Sequence, residues 1–120
     1  MKQPFLGLWR IVEMELWERG DIDMLRPAHI RFNRDGTGEF QFMAVQGEMD
    51  CRFGERDGRP IVEFSWCGSE EMDQSCGRGW ATFGANDELH GRFFFHLGDD
   101  SAFTAMRGRE AGKPRVRQSA

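Results

Sequence analysis

The sequence predicts an all-β domain, an eight-stranded antiparallel up-and-down barrel. Three observations predict it. Short segments alternate apolar and polar residues, the period-2 mark of strands with one buried face. Fifteen glycines and four prolines, spread at short intervals, suit a chain that turns often and would weaken long helices. Most connections have hairpin length, so consecutive strands pair, and closing the meander on itself removes its exposed edges. At 120 residues there is room for one core, placed over residues 1–107, with a basic tail over 108–120.

The elements follow in order. The first strand runs over about residues 6–17 and the second over about 28–33. Arg34, Asp35, Gly36 and Thr37 turn the chain into a third at about 38–45, and Gln46 with Gly47 is read as the next turn or kink. The fourth strand, about 48–55, is the clearest: Met49, Cys51 and Phe53 share one face, Glu48, Asp50 and Arg52 the other. Asp57 and Gly58 make a hairpin into a fifth strand around Val62, Phe64 and Trp66. The sixth spans about 77–83, and the seventh begins at Leu89 after a turn at 84–87. After Gly98, Asp99 and Asp100, the eighth covers 101–107. Residues 18–27 carry Ile22, Met24 and Leu25 and are expected to form a turn of helix or a lid over one mouth, whereas 68–76 reads as an acidic surface loop. The tail, polar and without period, is expected to be mobile.

With 39% hydrophobic and 30% charged residues the chain is too apolar for disorder. Eleven Phe and four Trp with no Tyr make an aromatic surface without phenolic hydroxyls. The net charge of -4 is uneven: Arg107, Arg109, Lys113, Arg115 and Arg117 against Glu110 make the last stretch about +4 and leave the body about -8. An acidic barrel is not expected to bind nucleic acid. No stretch approaches the length of a membrane span or a signal-peptide core, so a cytoplasmic protein that engages no membrane is expected. Cys51, Cys67 and Cys76 cannot all pair and lack metal spacing, so they are read as reduced thiols, Cys51 and Cys67 in the core and Cys76 at a loop end.

Gly7, Leu8 and Trp9 near the start of the first strand match the Gly-x-Trp signature of the calycin superfamily, which includes lipocalins, fatty-acid-binding proteins and avidins. Arg107 ends the last strand, where that superfamily often sets a basic residue across the signature tryptophan. The resemblance covers about residues 5–107 and implies a Trp9–Arg107 structural pair closing one barrel end. The final hairpin is similar to that of avidins, but the first strand lacks their polar biotin-contacting pattern. The whole resembles a compact bacterial lipocalin-like protein, a likeness that implies fold more than activity.

On this reading Phe40, Phe42, Met49, Cys51, Phe53, Val62, Phe64, Trp66, Trp80, Phe93, Phe95 and Phe103 line the interior. Eight strands enclose either packed side chains or one small ligand, and both readings stand. In the first strand, Trp9 and Ile11 inside would by strict alternation bring Glu13 and Glu15 inside too, and a bulge near Ile11 or Val12 removes the conflict. Glu13, Glu15 and Arg78 are then rim candidates for a polar head group. Buried Glu13 and Glu15 would instead be acid/base candidates. His29, His90 and His96 read as surface residues, and no metal, cofactor or nucleophile motif appears. The expected function is non-catalytic binding of a small apolar or amphipathic ligand inside the barrel. The alternative is a protein-interaction module with a filled barrel, acting through its outer surface or tail. Outward Phe94 and Met43 offer a surface for a homodimer, the commonest symmetric assembly.

Overall fold

The computed structural model describes residues 3–108; the expected tail lies outside them apart from Gly108. Eight strands, β1 (Gly7–Met14), β2 (His29–Phe32), β3 (Thr37–Phe42), β4 (Val45–Arg56), β5 (Arg59–Glu70), β6 (Asp73–Phe83), β7 (Leu89–Phe95) and β8 (Asp100–Arg107), pair in sequence order, and β1 closes on β8. All pairings are antiparallel. The sequence therefore folds as the all-β barrel its alternation predicts. Among the described residues the helical content is one turn, α1 (Arg19–Ile22), and two 3-10 turns at Gln3–Phe5 and Ala85–Asp87.

The conflict in β1 is resolved by a bulge. Ile11 pairs with Ala105 and Glu13 with Thr104, leaving Val12 as the extra residue. Trp9, Ile11 and Met14 are thereby buried while Glu13 and Glu15 stay exposed. Asp57 (φ 53°) and Gly58 (φ 78°) form the β4–β5 turn with both residues in the left-handed region that a primed two-residue turn demands.

Two connections depart from the expected pattern. The β3–β4 turn is Met43 and Ala44, with Met43 at φ 53°, and not Gln46 and Gly47. Gly47 lies inside β4 because a Cβ there would come within 2.6 Å of the Phe40 ring and 2.9 Å of Trp66, so the glycine makes space and does not turn the chain. The expected acidic loop over 68–76 is a hairpin: β5 and β6 continue to Glu70 and Asp73 and turn through Glu71 and Met72. This hairpin outruns β7, which ends at Phe95 opposite Gly77. Its two faces are both largely wet, so no apolar alternation marks it as strand.

The interior pairs large rings with absent side chains. Phe93 sits at its centre, with ring centroids 4.6 Å from Phe40, 5.0 Å from Phe42, 5.8 Å from Phe64 and 4.7 Å from Phe103. Space for these rings comes from glycines on the inward positions of neighbouring strands. A Cβ on Gly79 would stand 2.5 Å from Cζ of Phe64 and 2.6 Å from the Arg92 carbonyl oxygen, and one on Gly91 would stand 2.6 Å from Phe103.

One end is sealed by the chain's beginning and last strand. Phe5, fully buried, stacks on Phe83 at 4.7 Å and meets Phe32 and Phe53 at 6.0 and 5.9 Å. Trp9 Nε1 donates to the Phe5 carbonyl at 2.9 Å. The Arg107 guanidinium lies 4.0 Å from the Trp9 ring and donates to the carbonyls of Leu6 (2.7 Å) and Pro4 (2.9 Å). Desolvation lowers the Arg107 pKa, but a guanidinium keeps its charge.

Two stability tests follow from this packing. Gly79→Ala is expected to destabilise the barrel by about 2 kcal/mol in urea denaturation, because backbone and ring both block the new methyl. Gly54→Ala, where nothing lies within 4 Å, should stay within about 0.5 kcal/mol of the parent. Arg107→Ala is expected to cost about 2 kcal/mol through the lost ring contact and carbonyl bonds. Arg107→Lys should recover less than half of that, since an ammonium lacks the planar fork; full recovery would reject the clamp.

Candidate functional site

The residues expected to line a cavity divide into two groups. Phe40, Phe42, Met49, Phe53, Phe64, Trp66, Phe93, Phe95 and Phe103 do face inward, together with Cys51 and Val62. Trp80 faces outward: it pairs with Glu63 and Arg92, both on the wet side, while its neighbours Gly79 and Ala81 take the inward positions of β6. The inward rings touch one another along the barrel. Trp66 lies 5.1 Å from Phe40 and 5.4 Å from Phe95. Trp17 closes the second mouth over Phe42 at 5.7 Å and Phe95 at 6.5 Å.

The segment expected as a helical turn or lid is packed in place over that mouth. Ile22 of α1 is fully buried and its carbonyl accepts from the Met43 amide at 2.8 Å. Asp23 anchors the segment, accepting from Arg10 Nη2 at 2.7 Å and from the Ala28 amide at 2.8 Å. Open hollows lie on the outer wall and at the barrel ends.

The rim candidates stand outside the interior. Glu13 is exposed. Glu15 reaches across to the Ala102 amide at 3.2 Å and to Arg92 at 3.4 Å. Arg78 is not at a rim: it sits midway along β6 on the outer wall, 4.6 Å over the ring of Phe94. Phe94, half-buried beneath that guanidinium, and Met43, half-buried in its turn, present less apolar surface than the alternation suggests. Among the described residues, no carboxylate, imidazole or cation is buried.

The cysteines depart furthest from expectation. Cys67 and Cys76 are joined in a disulfide across β5 and β6, with Cα atoms 4.1 Å apart. They are not reduced core thiols, because Cys67 is on the exposed face of β5 and a two-residue turn at Glu71 and Met72 sets it opposite Cys76. Their equal distance from that turn was the available signal. Cys51 alone is a buried free thiol, and burial, aided by the Asp50 charge, pushes its pKa up to about 12.

The feature sequence reasoning missed is a ring of apolar turns. In an antiparallel meander the connections alternate ends, so the β1–β2, β3–β4, β5–β6 and β7–β8 turns share one end. Met72 is 97% and Leu97 94% exposed there, with Leu25 at 59%, Met24 at 57% and Leu16 at 47%. Leu97 adopts φ 57° and Met43 φ 53°, a left-handed conformation that bulky residues seldom take. Around them the charge is acidic: Glu70, Glu71 and Asp73 flank Met72, and Asp99 and Asp100 follow Leu97. The opposite end turns on polar residues, Arg34 and Asp35, Asp57 and Gly58, Asn86 and Asp87. The signal was present in sequence, since neither Met72 nor Leu97 is a usual turn former.

Comparisons with known protein families, with curated proteins and with solved structures returned no match for this chain. What the fold and site define is therefore a class by architecture: a closed eight-stranded barrel with a ring-filled interior and one apolar, acidic end.

Cys51 provides a pH test. A thiol whose folded pKa is raised favours the fold below its unfolded value near 9 and withdraws that contribution as pH rises toward 12. The parent is therefore expected to lose stability relative to Cys51→Ala between pH 9 and pH 11 in urea denaturation, with the two curves parallel below pH 8.

Proposed function

We propose that this chain is a calycin-type barrel that acts as a non-catalytic protein-interaction module through its apolar, acidic end. The observation that carries this reading is the filled interior. A carrier of a small apolar or amphipathic ligand needs a pocket that buries most of its ligand, whereas here Phe93 and the rings around it occupy that volume. The working surface is then external. Large apolar side chains held out on several turns are the usual mark of an interaction site.

The flanking charges select the partner. Acidic residues beside Met72 and Leu97 favour an apolar face edged with lysine or arginine, such as a basic amphipathic helix. An anionic lipid surface would be repelled, and a second copy docked through the same end would set acid against acid. A cytoplasmic setting belongs to the same proposal.

The test is fluorescence anisotropy with a labelled Leu/Lys amphipathic peptide and a Leu/Glu peptide of the same pattern. The Leu/Lys peptide alone is expected to bind, with affinity falling as salt rises. Met72→Asp and Leu97→Asp should each weaken it by about tenfold, since each removes an apolar contact worth about 1 to 2 kcal/mol. Equal binding of both peptides, or a small molecule retained by the native protein and released on denaturation in mass spectrometry, would overturn the reading.

A further inference from the structure

The Cys67–Cys76 disulfide lines an open groove of the outer wall, together with Glu48, Asp50, Arg78, Phe94 and His96. From this placement we infer that the pair is a thiol–disulfide exchange site whose co-substrate is a small thiol bearing a carboxylate. Leu97 of the apolar end lines the same groove, but the exchange chemistry needs no partner bound at that end.

Four features carry it. First, access: Cys67 is on the exposed face of β5, so its sulfur can be approached from the groove without opening the barrel. Second, the bond is not alone in setting the register: Trp66 pairs with Gly77 on one side and Ser69 with Gln74 on the other, so backbone pairing flanks it on both sides. The bridge closes a loop of sequence separation only 9, and short loops gain least from cross-linking. Third, an imidazole belongs to the groove: the His96 amide donates to the Cys76 carbonyl at 2.8 Å, and His96 lines the same hollow. An imidazole N–H there can donate to a departing thiolate. Fourth, the groove holds a cation without a carboxylate partner among the described residues, Arg78, whose interaction there is with the Phe94 ring. Two residues along β6 from Cys76, it shares the outer face and suits a carboxylate on the incoming thiol.

The chemistry balances with thiol as the reductant. A thiolate attacks Sγ of Cys67, the new S–S bond forms as the Cys67–Cys76 bond breaks, and Cys76 departs as a thiolate that takes up a proton. A second thiolate attacks the small-molecule sulfur of the mixed disulfide, releasing Cys67 as its thiolate and the co-substrate as its own disulfide. Two thiols are oxidised and one protein disulfide is reduced. Run backwards, Cys76 attacks Cys67 in the mixed disulfide and expels the small thiol.

The test uses the full chain with reduced glutathione as the carboxylate-bearing thiol, 2-mercaptoethanol as the uncharged one and reduced thioredoxin as a protein dithiol. Free thiols are followed by maleimide mass shift and the fold by circular dichroism. Glutathione is expected to open the disulfide reversibly with an unchanged far-ultraviolet spectrum. Cys76→Ser, whose Cys67 is a free thiol, is given oxidised glutathione and should accumulate a glutathione adduct on Cys67, one reduced glutathione leaving per adduct, because no second cysteine can expel it. Arg78→Ala should slow reaction with glutathione by about tenfold and leave the 2-mercaptoethanol rate unchanged. Reduction that occurs only in unfolding concentrations of urea, or no adduct on Cys76→Ser, would overturn the proposal and make the bond structural. Fast reduction by thioredoxin with glutathione no better than 2-mercaptoethanol would overturn the assignment of the small thiol.

Discussion

Everything in this barrel depends on fitting large rings into a cylinder whose diameter eight strands dictate. The strands cannot move apart without breaking their ladders, so volume must be found on the strands themselves. It is found at inward glycines, where Gly47 faces Phe40 and Trp66, Gly79 faces Phe64 and Gly91 faces Phe103. Each large residue thus fixes the need for a small one on the neighbouring strand, and a register slip by one residue would turn both to the wrong face. The ring-filled interior and the specificity of strand pairing have the same origin.

The two ends of the barrel are built for different ends. One is closed inward: Phe5 is buried, Trp9 holds the Phe5 carbonyl, and Arg107 grips ring and backbone together. Its turns are polar and conventional. The other is filled by Trp17 and Ile22 beneath and carries Met72 and Leu97 outward, at positions where water-facing polar residues would be easier to keep. Backbone conformations such as that of Leu97 persist where surrounding structure enforces them, and such sites cluster where a molecule works.

The fold was legible wherever a strand had one dry face and one wet face. Met49, Cys51 and Phe53 against Glu48, Asp50 and Arg52 is a pattern only a strand explains, and Asp57 with Gly58 names its own turn type. The bulge was legible through conflict, since Glu13 and Ile11 could not share the interior. The signal failed where burial did not alternate. The β5–β6 hairpin is wet on both faces over its outer half, so no period marks it, and the cross-strand partnership of Cys67 and Cys76 was hidden with it. Gly47 misled because a glycine read as a turn was serving as space for a ring. Trp80 misled in the reverse direction, as a large ring on the wet side of a strand whose inward residues are glycine and alanine. The apolar turns were visible as letters but lacked the grammar of turns, and their significance appeared only when topology gathered them at one end.

The closure between β1 and β8 has a consequence for how the molecule comes into being. Every other ladder joins strands that follow one another along the chain, so each can form as a local hairpin. The β1–β8 ladder joins Trp9 to Arg107 across nearly the whole described sequence. Long-range pairing of this kind is the slow, entropy-limited part of a folding reaction. During synthesis the first strand must therefore wait, edge unpaired, until the last has left the ribosome. The guanidinium that completes the seal belongs to that last strand, so assembly of the barrel is timed by its final residues and the waiting edge of β1 is the stage most open to misassociation.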